Sequence, residues 1–401
     1  MPDAILTLNA GSSSIKFALF ETGPDLIRIA AGEVENIGAA PHLCIHTGGK
    51  LALEHTWPDH APLTHEDLLG ALLDWVDTHL GEDRLIACGH RIVHGGGRFT
   101  APIRLTAATL SELETFVALA PLHQPHNLAA VRAVMALRPG LAQTGSFDTA
   151  FHHTLPEAAA RFALPRHFYD EGVRRYGFHG LSYEYIASRL PVVAPGLARG
   201  RVIVAHLGNG ASLCAMAGGK SVDTSMGFTA LDGLMMGTRA GAIDPGVLLY
   251  LMQSRGMNAE ALTTLLYKQS GLLGVSGLSG DVRTLLASPA PEAAEALTLF
   301  AATAARHIAG LITSLGGLDG LIFTAGIGEH APEIRAAICA RLGWLGLALA
   351  PEANAANAPL ISTAASGVEV RVIPADEEAM LATHCREVIG AGGRLRPVRP
   401  G

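Results

Sequence analysis

Three times along the chain, a short apolar run suited to a buried strand breaks directly into a polar, glycine-rich turn. Residues 4–8 lead into Asn9, Ala10, Gly11 and Ser12. Residues 202–206 lead into Leu207, Gly208, Asn209 and Gly210, and residues 321–324 into Ala325, Gly326, Ile327 and Gly328. Such a chain is restricted to folds in which strand ends present backbone N–H groups with little side-chain obstruction. The first turn adds Ser12, Ser13, Ser14 and Lys16, after which residues 15–20 alternate as a returning strand would. Hydroxyls and N–H groups at such a hairpin tip can bond phosphate oxygens, with Lys16 as a point charge. A serine-rich surface turn has the same composition. The segment is not a Walker A loop, because it lacks the second glycine followed by Lys-Ser or Lys-Thr.

Between the turns, helical periodicity predicts helices over residues 66–79, 110–119, 127–137, 293–315 and 332–342, with Pro332 in a first turn. Residues 84–87 read as a further central strand, and the alternation of strands with helices is that of an α/β protein. A chain of 401 residues, 49% hydrophobic and 16% charged, is long enough for two or three domains. The glycine-rich segment from Gly390 onward reads as a frayed tail.

A net charge of -7 excludes a global basic field, so no nucleic acid or anionic membrane partner is expected. Any anionic ligand must be held by local cations. The five cysteines contain no C-x-x-C pair, which argues against a zinc ribbon or disulfide framework and for a reducing cytoplasm. Neither a signal sequence nor an uninterrupted apolar run of about 18 residues is apparent. Five histidines, His42, His46, His55, His60 and His65, share one polar segment, but their spacing gives little support for a metal cluster.

Residues 89–97 carry Arg91 out of a strand into a glycine turn, and residues 236–241 repeat the arrangement around Arg239. Two guanidiniums in such loops suit a carboxylate and a transferring phosphoryl group, and equally suit structural ion pairs. Asp148 stands between two aromatics, and His179 follows Tyr176, Gly177 and Phe178. Either is a polar anchor or a site group.

Taken together, the motifs at residues 9–16, 89–96, 120–123, 147–152, 176–180, 206–212, 223–229, 233–239, 243–246, 279–283, 324–329 and 377–378 resemble the acetate and short-chain fatty acid kinases. That acetokinase group lies within the sugar kinase, actin and heat-shock ATPase superfamily, and the resemblance covers nearly the whole chain. It implies an α/β protein of two ribonuclease H-like domains with the active site in a cleft between them. The first domain would span residues 1–150 plus a C-terminal helix in 376–401, and the nucleotide-binding second domain residues 151–375. The implied activity is reversible transfer of the ATP γ-phosphoryl group to acetate, with Mg2+ or Mn2+, in a cytoplasmic homodimer. Propionate is a second substrate, and a propionate or butyrate kinase of the same family is the alternative.

By the same resemblance, Arg91 and Arg239 hold the carboxylate and the phosphoryl group, His179 stabilises the transition state and Asp148 is the catalytic carboxylate. Asn9 and Glu377 look like metal-site residues, and Ser12, Ser14 and Lys16 like phosphate contacts. His206, Leu207, Gly208, Asn209 and Gly210 resemble a second phosphate loop. Asp281, Val282 and Arg283, with Gly326, Ile327, Gly328, Glu329 and His330, resemble the adenosine pocket. Val93, Leu122, His123, Phe178 and Ala230 match the substrate pocket.

The chain departs from the family pattern in several places. Ala240 and Ala242 replace a serine and an aspartate, leaving Asp244 to help orient Arg239. Ala325 replaces a glycine and His330 an asparagine. Asp376 replaces an asparagine and would add an acid near the metal site, while Ala230 replaces a proline and would widen the acyl pocket.

Overall fold

The computed structural model describes residues 3–59 and 63–390; His60 and the tail beyond Gly390 lie outside the described residues. The chain forms two compact units, one of residues up to Ala150 together with those from Asp376 onward, the other of Phe151–Ala375.

In the first unit, β1 (Asp3–Ala10), β2 (Ile15–Glu21), β3 (Ile27–Glu35), β4 (His42–Thr47), β5 (Lys50–Thr56), β6 (Arg84–Ile92), β7 (Ile103–Arg104) and β8 (Ala142–Phe147) make one sheet of order β5-β4-β3-β2-β1-β6-β8-β7. Strands β1 to β5 form an antiparallel meander, whereas β6 runs parallel to β1 and β8 parallel to β6. The period of two along β1 sorts its side chains between two cores. Ala4, Leu6 and Leu8 face the cluster containing Leu68, Leu72 and Val76 of the helix His65–Leu80. Ile5 faces the other way, with Ala382 and Cys385 of the helix Glu377–Gly390.

That second face carries the polar row. Asn9 is an odd-numbered residue like Ile5, and the register pairs it with Lys16, which pairs with Glu33, which pairs with Cys44. On β6, Gly89 lies under the C-terminal helix, where a Cβ would come 3.3 Å from the Cys385 Cβ and 3.3 Å from the Leu381 carbonyl. Glycine here lets the helix lie close to the sheet.

The second unit repeats the design. Strands β9 (Arg201–Leu207), β10 (Ala211–Ala217), β11 (Lys220–Thr224), β12 (Gly320–Thr324) and β13 (Glu369–Val372) form a sheet of order β11-β10-β9-β12-β13. Its antiparallel β9 to β11 half and parallel β12 and β13 match β1 to β3, β6 and β8 in order and sense. Both units are therefore ribonuclease H-like, and each places a first-hairpin glycine turn, after β1 and after β9, at the same topological position. The helix Pro291–Leu315 is long and apolar enough to cross a membrane, but it serves as a core helix, burying Ala293, Ala296, Phe300, Ala301, Ala304 and Ile308.

Two local expectations change. Arg91 does not leave the strand but lies inside β6, because parallel pairing with β8 continues through Ile92. The histidine-rich segment is largely the β4–β5 hairpin, and its histidines make separate contacts. His42 meets Glu54 at 3.1 Å, His55 packs edge-on against Trp57, and the His65 Nε2–H donates to the Gly11 carbonyl at 3.0 Å.

Two buried imidazoles in the first unit set an acid limit on stability. Burial pushes His90 and His94 down to about 4. A histidine depressed in the folded state stays neutral while the unfolded chain takes up protons, so stability is full above about 6.5 and is lost as pH falls toward 4. Each imidazole is expected to remove roughly 2 kcal/mol of stability at pH 5, by proton linkage from those values. Urea unfolding at pH 7.5 and pH 5 measures the loss, and His90→Gln should reduce it; an unchanged pH dependence in that variant would refute the assignment.

Candidate active site

The first unit builds a charged constellation on the helix-covered face of its sheet. Since Leu8 pairs with His90 in the parallel β1–β6 register, the next residues on the two strands, Asn9 and Arg91, are brought side by side. The Arg91 guanidinium donates from Nε and Nη2 to the two oxygens of Asp148, at 2.9 and 2.6 Å, and from Nη1 to the Asn9 Oδ1 at 3.1 Å. The Glu377 carboxylate lies 3.9 Å from the Arg91 Nε. Burial opposes the charge on Arg91, but the field and hydrogen bonds of Asp148, aided by Glu377 and Glu378, hold it well above the ordinary range. Burial raises Glu377 to about 7; Asp148 and Glu378 push it the same way, while Arg91 and Lys16 pull against them.

Three side chains hold the loops around this constellation. The Asn127 amide donates to the Ala10 carbonyl at 2.7 Å, and its oxygen accepts from the Val93 N–H at 2.9 Å. It thus ties the end of β1 to the loop after Arg91. Gln124 accepts from the His94 N–H and donates to the His94 carbonyl, and His65 pins Gly11. At the hairpin tip the Gly11 N–H donates to the Ser14 carbonyl at 2.8 Å, with Ser12 exposed. Lys16 stands 3.8 Å from Glu33.

In the second unit, His179 and Arg239 converge. A Cβ added to Gly210 would lie 3.3 Å from the His179 Nε2 and 3.5 Å from the Arg239 Nη2, so both tips reach the β9–β10 turn and a side chain there would crowd the imidazole. His179 adopts a left-handed backbone, φ 58°, at the start of the helix Gly180–Val193. A non-glycine residue in that region is strained, and such strain is concentrated at functional positions. His152 helps to hold it, since its Nε2–H donates to the Phe178 carbonyl at 3.0 Å and its Nδ1 accepts from the Ser221 hydroxyl at 2.8 Å. Arg239 is steered by Nη1 donating to the Ala230 carbonyl at 2.8 Å. The His206 ring is stacked on His179 with centroids 4.1 Å apart.

Beside the same turn lies a cavity of about 480 Å³ lined by Gly208, Asn209, Gly280, Asp281, Val282, Arg283, Leu286, Gly326, Ile327, His330 and Ala331. It combines an apolar wall, Val282, Leu286, Ile327 and Ala331, with glycine backbone on the β9 and β12 turns. That composition suits a heterocycle and its attached phosphates.

Most residues singled out in the sequence therefore gather into two groups. Asn9, Arg91, Asp148 and Glu377 meet in the first unit; in the second, His179, His206, Gly210 and Arg239 meet near the cavity. Val93 and Phe178 are buried, Leu122 and Ala230 half-buried, and His123 lies at the start of the helix Gln124–Leu137. Leu207, Gly328 and Glu329 do not line the cavity. Leu207 is interior, Gly328 packs against the strand backbone, and Glu329 accepts from the Ala375 N–H at 2.9 Å.

Two acids also have other duties. Asp244 caps the helix Pro245–Arg255 by accepting from the Gly246 N–H and does not orient Arg239. Asp376 pairs with Arg28 and accepts from the Ala379 N–H, so its carboxylate is engaged by a cation and a helix end. Sequence reasoning gave no role to Gly280 and Ser212, although both lie in the motifs at 279–283 and 206–212, and it missed Leu286 and Ala331 and the anchors Gln124, Asn127, Ser182 and Tyr183.

Two ribonuclease H-like units, with a cavity on glycine turns in the second, define the two-domain fold of the actin-like ATPases. A model of the acetokinase family matches residues 4–383, and the chain belongs to that family. It is 51% identical over 399 residues to an acetate kinase of Rhodopseudomonas palustris, covering 98% of this chain and all of that protein. It is 45% identical over 393 residues to a propionate kinase of Citrobacter rodentium, covering 95% and 96% of the two chains. The crystal structure of a propionate kinase from Francisella tularensis superposes with a TM-score of 0.89 at 35% identity, covering 96% of this chain and all of that one.

The turn after β12 offers a test of backbone strain. Ala325 has φ 64°, where the family's glycine would be unstrained. Ala325→Gly is expected to stabilise the protein by about 1 kcal/mol, the cost of a left-handed alanine. A raised urea midpoint checks this; a lowered one would contradict it.

Proposed function

We propose that the protein catalyses reversible transfer of the ATP γ-phosphoryl group to acetate, giving acetyl phosphate and ADP, and that it also takes propionate. The observation that carries this reading is the convergence of the His179 Nε2 and the Arg239 Nη2 on Gly210, beside the cavity that Gly208 and Asn209 help to line. The adenosine would occupy that cavity, its phosphates directed along the β9 and β12 turns toward Arg239. Ser12, Ser14 and Lys16 would contact phosphate at the other hairpin.

A carboxylate is already a nucleophile at neutral pH, so no strong base is required. The work is to bring two anions together and to stabilise charge spread over the equatorial oxygens. Arg91 suits the carboxylate, because Asp148 and Asn9 hold its fork of donors in one plane. Arg239 and His179 suit the phosphoryl group as donors.

Among the described residues no three acid, histidine or cysteine side chains form a metal cluster, so Mg2+ or Mn2+ would be held by Glu377 and the Asn9 oxygen together with nucleotide phosphates. Bound there, it would neutralise phosphate charge. Removing one such arginine typically costs roughly 10³-fold or more in turnover. Arg239→Ala should therefore keep the fold and lose most acyl phosphate formation, trapped as hydroxamate; near wild-type activity would sink the proposal.

Ala230 bears on chain length. It replaces the family's proline, and its own carbonyl also steers Arg239. One methylene in such a pocket is worth about 1–3 kcal/mol. Propionate should thus be used nearly as well as acetate; a kcat/KM a hundredfold lower would refute this. The propionate kinase relative at 45% identity favours, as the second reading, propionate as main substrate, and a rate series from acetate to butyrate separates the two.

The helix Pro245–Arg255 supports a homodimer. None of its residues is buried, and Val247, Leu249, Tyr250 and Met252 are 44–57% exposed, an apolar surface that calls for a second copy. Sedimentation at micromolar concentration should show a dimer, and Leu249→Glu a monomer; a monomeric wild type would contradict this. Five free cysteines, four of them buried, suit the reducing cytoplasm.

A further inference from the structure

Behind the imidazole of His179 runs a chain of hydroxyls that the phosphoryl chemistry above does not use. The Ser212 Oγ lies 2.8 Å from the His179 Nδ1 and is also hydrogen-bonded to the Tyr183 hydroxyl. Ser212 and Tyr183 are both fully buried, Ser212 on β10 and Tyr183 in the first turn of the helix Gly180–Val193. The Nε2 side of the ring faces the opposite way, toward Gly210 and the Arg239 tip. His206, stacked 4.1 Å below at 19°, is held in the same manner, its Nδ1 2.8 Å from the buried Ser182 hydroxyl.

We propose that Tyr183 and Ser212 are positioning residues that lock His179 in the tautomer with its proton on Nε2, making it a neutral donor to the transferring phosphoryl group. A hydrogen-bonded chain of two hydroxyls and one imidazole nitrogen has a direction. Tyrosine is the more acidic hydroxyl, hence the better donor and poorer acceptor, so the chain runs from the Tyr183 O–H to the Ser212 Oγ and from the Ser212 O–H to the His179 Nδ1. Nδ1 is then an acceptor, and the single ring proton stands on Nε2. The Arg239 guanidinium on the Nε2 side is a like charge to an imidazolium, which favours the neutral ring as donor.

No proton is transferred in this role. The ring offers a fixed N–H whose bond shortens as negative charge develops on the phosphoryl oxygens. The identity of that acceptor rests on the kinase reading above, but the tautomer does not.

The test uses the full-length protein labelled with 15N-histidine, with the His179 signals assigned by their loss in His179→Gln. A protonated Nε2 with an acceptor-type Nδ1 is the expected pattern, and a protonated Nδ1 in the wild type would overturn the proposal. Ser212→Ala should mix the two tautomers and lower kcat about tenfold, the worth of one well-placed hydrogen bond. The KM values for ATP and for the carboxylate should stay within about twofold, because substrate binding precedes the need for the donor. Tyr183→Phe, which keeps the ring packing, should lower kcat by roughly threefold, and Ser212→Thr should restore the wild-type spectrum. An unchanged kcat in folded Ser212→Ala would count against the relay. Failure to phosphorylate any carboxylate would instead remove the functional reading, and the nitrogen spectrum would still decide the tautomer.

Discussion

The bidentate pair between Arg91 and Asp148 is the constraint around which the first unit is arranged. Burying a guanidinium and a carboxylate costs several kcal/mol per ion unless geometry and further hydrogen bonds offset it. Here both Asp148 oxygens and the Asn9 amide are engaged. That requires β1, β6 and β8 to lie adjacent and parallel with one register, because a slip of one residue would turn Asn9 or Arg91 to the opposite face. Gly89 lets the helix Glu377–Gly390 cover that face closely, and this brings Glu377 to Arg91. One ion pair thereby links strand register, helix docking and the placement of Glu377.

The second unit solves a different problem with the same topology. Its hairpin turn exposes glycine backbone beside the tips of two donor side chains, His179 and Arg239. Gly210 provides the room, and the left-handed His179, held through Phe178 by His152, provides the approach. Gly177, at φ 73°, passes so close to the His152 ring that a Cβ would lie 2.5 Å from it. Rigid support for one imidazole thus extends over several buried residues, and this suits a reaction that depends on positioning more than on proton transfer.

Much of this was legible in the chain. The hairpin at residues 9–16 and the later glycine turns announce themselves locally, because apolar runs and glycine have short-range meaning. Likeness to a family supplied Arg91, Asp148, His179 and Arg239 as site residues. Less legible were partnerships set by tertiary register, such as Arg91 with Asp148 across 57 positions. Asp244, Asp376 and Glu329 were assigned to the site or its neighbourhood, yet nearby helix ends and loops claim them, since an acid next to free N–H groups is bound locally first. Ser212, Tyr183 and Asn127 are single polar residues in apolar or mixed stretches, and only their three-dimensional neighbours reveal their roles.

The most direct test of the central pair is a double-mutant cycle on turnover with Arg91→Ala, Asp148→Asn and the combined variant. If the two residues act as one unit, each single change should cost on the order of 10²-fold or more in kcat and the double variant little beyond the worse single. Losses that multiply across the two positions would show that Arg91 and Asp148 act independently and would contradict the dependence of the site on their pairing.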